Sequence, residues 1–134
     1  MVRYVVLPCI EEEFWKLGLN FSMTSAFTTI DDKKNNIHIV IDIDLRDGDK
    51  EMLVKVEAKP TIDDIRDHIE RMEKVRAHRG LRDDNRKYLG AIVGMVMSEN
   101  EKTFALKSGF YVIEPSGETF AITVPEGIYA PREW

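Results

Sequence analysis

Residues 37–60 read IHIVIDIDLRDGDKEMLVKVEAKP. Ile37, Ile39, Ile41, Ile43 and Leu45 alternate with His38, Val40, Asp42 and Asp44. A period of two belongs to a β-strand, because successive side chains leave an extended backbone on opposite sides. One face of this strand is strongly apolar, and the other carries both aspartates. Arg46-Asp47-Gly48-Asp49 follows, and its Asp-Gly pair favours a tight turn. Glu51–Lys59 then reads as a second strand, with Val54, Val56 and Ala58 on one face and Leu53, Lys55, Glu57 and Lys59 on the other. The two runs are predicted to form an antiparallel hairpin. Pro60 has no N–H to give to a ladder and ends it.

Beyond the hairpin, Thr61 opens a helix over 61–79, with Asp64 three residues later as in a capping box. Ile62, Ile65, Ile69, Met72 and Val75 recur at spacings of three and four, which marks the buried stripe. Gly80 is the expected stop. A polar loop over 80–87 leads to Tyr88–Met97, an apolar run without alternation and so a strand covered on both faces. Ser98 and Glu101 repeat the box pattern and start a short helix, with Phe104 and Ala105 inward and Gly109 as its end. Phe110–Ile113 and Thr119–Val124 read as strands joined by the turn Pro115-Ser116-Gly117. The tail IYAPREW, residues 128–134, reads as peripheral. Towards the N-terminus, Phe21–Ile30 is a strand ending in the turn cluster DDKKNN. Glu11–Leu17 is one or two helical turns ending at Gly18, and Val2–Leu7 is a short apolar run. The expectation is an α/β fold: a mixed β-sheet flanked by helices, with a three-stranded antiparallel meander followed by parallel crossovers.

Composition bounds the function. The chain has 134 residues, 43% of them hydrophobic and 32% charged, as expected of one globular domain over 1–134. A lone cysteine, Cys9, excludes a disulfide framework or a cysteine zinc cluster, and fits a reducing cytoplasm. The net charge of −5 excludes a protein that coats nucleic acid through bulk positive charge, but not a local basic patch. The longest apolar run is far short of the roughly 20 residues of a membrane span, and the N-terminus does not read as a signal peptide.

The polar face of the hairpin is where chemistry is expected. Glu57 and Lys59 stand two apart on a strand and so share a face, as do Asp42 and Asp44. With the turn between them, Asp44 and Glu57 are expected to meet across the ladder. Clustered carboxylates repel unless a cation lies between them, and oxygen donors suit a hard ion such as Mg²⁺ or Mn²⁺. A lysine beside such an ion can orient or help deprotonate an attacking water.

This stretch resembles the core of the PD-(D/E)xK nucleases, the restriction-endonuclease-like superfamily. In that pattern an acid on one strand is followed by a short hairpin, then by (D/E)-x-K on the next strand and by a helix. The likeness covers about residues 37–114 and is to uncharacterised prokaryotic members whose acid pair reads E-I-D. It implies Asp44 and Glu57 as metal ligands, the Ala58 carbonyl as a further ligand, Asp42 as an auxiliary acid and Lys59 as the group that activates water. The catalytic set would be Asp44, Glu57 and Lys59. The proline of the nominal motif is replaced by Ile43. An extra acid from the first helix would be one of Glu11, Glu12 and Glu13.

Plainer readings stand beside these. Glu57 and Lys59 also read as a solvated strand face, with Lys55 and Glu51 as charge partners. His38, His68 and His78 lack metal-ligand spacing and read as surface or hydrogen-bonded residues. Lys74, Arg76, Arg79, Arg82, Arg86 and Lys87 form either a solvated helix end or a loop that contacts phosphate. The functional expectation is a metal-dependent nuclease acting on DNA, in which so small a chain would pair with a second copy to span a duplex. The rivals are a resolvase-like role at branched DNA and a non-catalytic binding or interaction module on the same fold.

Overall fold

The computed structural model describes residues 10–82 and 84–134; Val2–Leu7 and Cys9 lie outside them. The first described element is helical, residues 10–16 (α1). Strands Met23–Asp32 (β1), Ile37–Arg46 (β2) and Lys50–Glu57 (β3) follow as an antiparallel meander. Helix Ile62–Gly80 (α2) returns the chain to Lys87–Gly94 (β4), parallel to β3, and Glu99–Lys107 (α3) returns it to Tyr111–Ser116 (β5), parallel to β4. Thr119–Thr123 (β6) closes a six-stranded mixed sheet in sequential order.

The local signals act as their chemistry dictates. Asp64 N–H donates to Thr61 Oγ1 at 3.1 Å and Thr61 N–H to the Asp64 carboxylate at 2.8 Å, a closed capping box. Gly80 is still helical, and Leu81 is the cap. Ser98 caps α3 by position only, without a side-chain bond.

Two apolar cores flank the sheet. Ile10 and Phe14 of α1 pack on Val54, Val56, Ala91 and Val93. On the other face Ile65, Met72 and Val75 of α2 and Ala105 of α3 pack on Leu53, Tyr88 and Ile92. β4 therefore feeds both cores, as its lack of alternation predicts. Gly90 is required there: a Cβ at this position would come within 2.4 Å of the Phe110 ring.

Two expectations are corrected. The isoleucine row of β2 does not serve a single core. Ile43 and Leu45 belong to the α1 side, whereas Ile39 and Ile41 join the α2 side. The ladder between β2 and β3 runs from Arg46↔Glu51 to Ile43↔Val54. At the next position the Asp42 carboxylate, instead of a strand carbonyl, accepts the Val56 N–H at 3.0 Å. At the same level of β1, Phe27 takes a positive φ of 58°. Around Asp42 the apolar row of β2 thus passes from one core to the other.

The tail is peripheral only in part: residues 128–130 are exposed, but its end is docked. Arg132 N–H donates to the Gly109 carbonyl and Trp134 N–H to that of Tyr88, and the Trp134 ring stacks on Phe110 at 5.6 Å. Among the described residues, no helix is long and apolar enough to cross a membrane.

Candidate functional site

β2 and β3 carry their polar residues on the α2 side of the sheet, since the alternate residues Ile43, Leu45, Val54 and Val56 face α1. The acids on that side form two separate groups. Asp44 and Glu57 do not meet. Arg46 pairs with Glu51 and the Asp47 N–H bonds the Lys50 carbonyl, so the hairpin is centred near Gly48-Asp49 and Asp44 stands opposite Leu53. Glu57 is four residues further along β3, about 13 Å away at the usual rise per residue. The turn falls where the Asp-Gly pair predicts, within Arg46–Asp49, but a turn there is not midway between Asp44 and Glu57, so the two cannot stand opposite each other.

Asp42 is the acid that shares a partner with Glu57. The Lys55 ammonium lies 3.3 Å from Asp42 Oδ2 and 3.2 Å from Glu57 Oε1. The Asp42 carboxylate is buried, that of Glu57 is 35% exposed, and the Lys55 side chain is 20% exposed. This group sits at the C-terminal end of β3, beside the start of α2. The Ala58 carbonyl accepts the Val96 N–H at 2.9 Å. Lys59 lies past the end of the strand in a bend set by Pro60, exposed to solvent and without an ion pair among the described residues.

Asp44 belongs to a second group, whose two acids are fully buried. Arg46 donates to its Oδ2 through Nε at 3.0 Å and Nη2 at 2.8 Å. Glu51, also without exposure, receives Arg86 at 3.2 Å and lies 3.6 Å from Arg46 and 3.7 Å from Arg79. Burial, and then the neighbouring Asp44 carboxylate, push the Glu51 carboxyl up to about 7. Asp44 Oδ1 and Glu51 Oε2 are buried without a hydrogen-bond partner. A proton retained on Glu51 gives that pair of oxygens the donor that two carboxylates lack.

The basic run is divided: Arg76, Arg79 and Arg86 reach partners inside the fold, whereas Lys74 and Lys87 pair at the surface and Arg82 is exposed. Arg79 and Arg86 face Glu51, Arg76 donates to the Asp84 carbonyl at 2.8 Å and covers the Tyr88 ring, Lys74 pairs with Glu70, and Lys87 with Glu133. Glu11, Glu12 and Glu13 sit on α1, across the sheet from both acid groups.

His68 is buried between Arg71 and the Leu53 carbonyl, at 2.9 and 3.0 Å. A guanidinium only donates, so Nδ1 accepts and Nε2–H donates to Leu53. Burial and the Arg71 charge push this imidazole down to about 3, so it is neutral at pH 7. His78 lies 3.2 Å from Asp32, and His38 lies 3.8 Å from Asp31.

Among the described residues, no group of three or more His, Cys, Asp or Glu side chains converges on a point that could hold a metal ion. The group around Lys55 offers two carboxylates instead, and Lys55 is the residue that the motif reading passed over. Its position on the Glu57 face, two residues earlier, was the available signal. Compared with protein-family models, curated proteins and solved structures, the chain finds no match.

Proposed function

We propose that this chain is a metal-dependent nuclease with a restriction-endonuclease-like core, hydrolysing phosphodiester bonds in DNA. One observation carries the reading: carboxylates from two adjacent strands, Asp42 and Glu57, converge on a single ammonium at the C-terminal end of a parallel strand, with Lys59 two residues further on. Ligand sites of open α/β sheets favour that end of the strands.

The donor set fits a hard divalent ion in part. Asp42 and Glu57 supply carboxylate oxygens, and the Ala58 carbonyl keeps a second lone pair beside its bond from Val96. Asp44 stands outside this set, because Arg46 forks its Oδ2 in a buried pair. Mg²⁺ or Mn²⁺ held by Asp42 and Glu57 supplies Lewis-acid activation of phosphate and water. Lys59, free to move on an exposed bend, brings a positive charge to the phosphate and orients the attacking water. Pro60 and the capped start of α2 fix the backbone from which Lys59 reaches.

The test is nicking of supercoiled and branched DNA with Mg²⁺ or Mn²⁺, beside calorimetry of Mn²⁺ binding. Asp42→Asn and Glu57→Gln should lose both cleavage and metal binding. Lys59→Ala should lose cleavage by about 10²-fold or more and keep metal binding. Cleavage by Glu57→Gln at the wild-type rate would sink the proposal.

A second reading is favoured by the burial of Asp44: a binding module on the same fold whose acids hold the structure together. Wild-type protein that retards DNA without nicking it or binding Mn²⁺ would select that reading.

A further inference from the structure

We propose that Lys55 is a built-in counter-ion, whose ammonium holds the position of the divalent cation between Asp42 and Glu57 and must swing aside for the ion to bind. The inference rests on the nuclease reading above and adds a regulator to that site. Two carboxylates from neighbouring strands repel unless a cation separates them. In this chain the separating cation is an ammonium 3.3 Å from one carboxylate and 3.2 Å from the other. Of the other cations nearby, Arg46 is forked on Asp44, Arg71 is bonded to the His68 ring, and Lys59 stands past the end of the strand on the exposed bend.

The choice of lysine matters. An ammonium is a point charge on a flexible four-carbon stem with no fork to match a carboxylate, so it leaves more readily than a guanidinium. Lys55 is 20% exposed and Glu57 35%, so a route to water is open on the side where the ammonium would move. Asp42 differs, because its Oδ2 also takes the Val56 N–H and stays in place when Lys55 moves. Displacement of Lys55 thus leaves a fixed acid, Asp42, and a more exposed one, Glu57, facing the vacated position. The affinity of the site for metal is set by competition with this internal cation.

Mn²⁺ titration of the wild type, Lys55→Met and Lys55→Arg by calorimetry tests the idea. Methionine keeps most of the apolar stem and removes the charge; arginine keeps the charge and adds a fork. Lys55→Met should bind Mn²⁺ about tenfold or more tighter than wild type, because a unit charge a few ångströms from the ion is gone, and Lys55→Arg should bind no tighter than wild type. A second readout needs no variant: the Lys55 side-chain ¹⁵N resonance of the wild type should shift when Mg²⁺ is added. Equal affinities in wild type and Lys55→Met, or an unmoved Lys55 resonance in Mg²⁺-bound protein, would overturn the counter-ion role and leave the nuclease reading standing. Absence of Mn²⁺ binding in wild type and Lys55→Met alike would overturn the nuclease reading, and this inference with it.

Discussion

Two acid groups lie on one face of one hairpin, and they are built differently. Asp44 and Glu51 are fully buried and held by Arg46, Arg79 and Arg86, with one carboxylate forked by a guanidinium. Asp42 and Glu57 lie nearer to water and share one lysine. Two guanidinium N–H bonds converging on one oxygen fix geometry as well as charge, whereas an ammonium is a compact charge on a flexible stem. The first group has the features of a structural clamp. The second has those of a site whose cation can be exchanged. Residue type did not separate them, since each has an aspartate on β2 and a glutamate on β3.

The sharpest way to break this contrast is to delete one acid from each group. Asp44→Ala removes a buried carboxylate and both of its bonds to Arg46, which is 29% exposed and keeps Glu51 at 3.6 Å, and should cost about 2–3 kcal/mol in urea unfolding. Asp42→Asn keeps an oxygen for the Val56 N–H and leaves Lys55 free to rehydrate; its cost should be about 1–2 kcal/mol. Equal costs would erase the distinction.

The next effect is on pH dependence. Glu51, pushed up to about 7 by burial and by Asp44, keeps a proton that the unfolded chain releases above about 4.5. Its contribution to stability is therefore present below about pH 4.5 and lost as pH rises through about 7. His68, pushed down to about 3 by burial and Arg71, acts with the opposite sign: its contribution is present above about 6.5 and lost as pH falls towards 3. Glu51→Gln imitates the protonated carboxyl and removes the first slope. Melting temperatures of this variant should rise with pH between about 4.5 and 6.5 more steeply than those of wild type, and exceed them above pH 7. Parallel profiles would mean that Glu51 is ionised throughout.

The smallest effect is expected at Lys59. On an exposed bend, Lys59→Ala should change stability by no more than about 0.5 kcal/mol. A larger loss in denaturant would show that Lys59 is tied into the fold and is not free to serve chemistry.

Much of the fold is legible in the chain because its signals are local. The period of two in β2, the three-and-four spacing in α2, the Thr61–Asp64 box and Pro60 each act over a few residues, and each forms as expected. The change of core at Asp42 is not legible, because there a carboxylate takes a bond from Val56, fourteen residues away. The docking of the tail's end is not legible for the same reason: its partners are Gly109, Tyr88 and Phe110, and IYAPREW has no period of its own. Residue types place Asp42, Asp44 and Glu57 on one face of the hairpin, but which of them meet is fixed by the turn. A centre at Gly48-Asp49 sends Asp44 to Leu53 and leaves Asp42 to share Lys55 with Glu57.

The docked tail also gives the molecule an optical label. Of the two tryptophans, Trp15 is 65% exposed, so its indole is largely hydrated before any unfolding begins. Trp134 stacks on Phe110 beneath the Arg132 guanidinium, which lies 3.6 Å from its ring centre. The change in emission on denaturation therefore comes mainly from Trp134 and times the departure of residues 131–134. Circular dichroism times the loss of the sheet and helices. Coincident fluorescence and dichroism midpoints mean that the tail and the sheet melt as one unit, and an earlier fluorescence midpoint means that the tail peels away first.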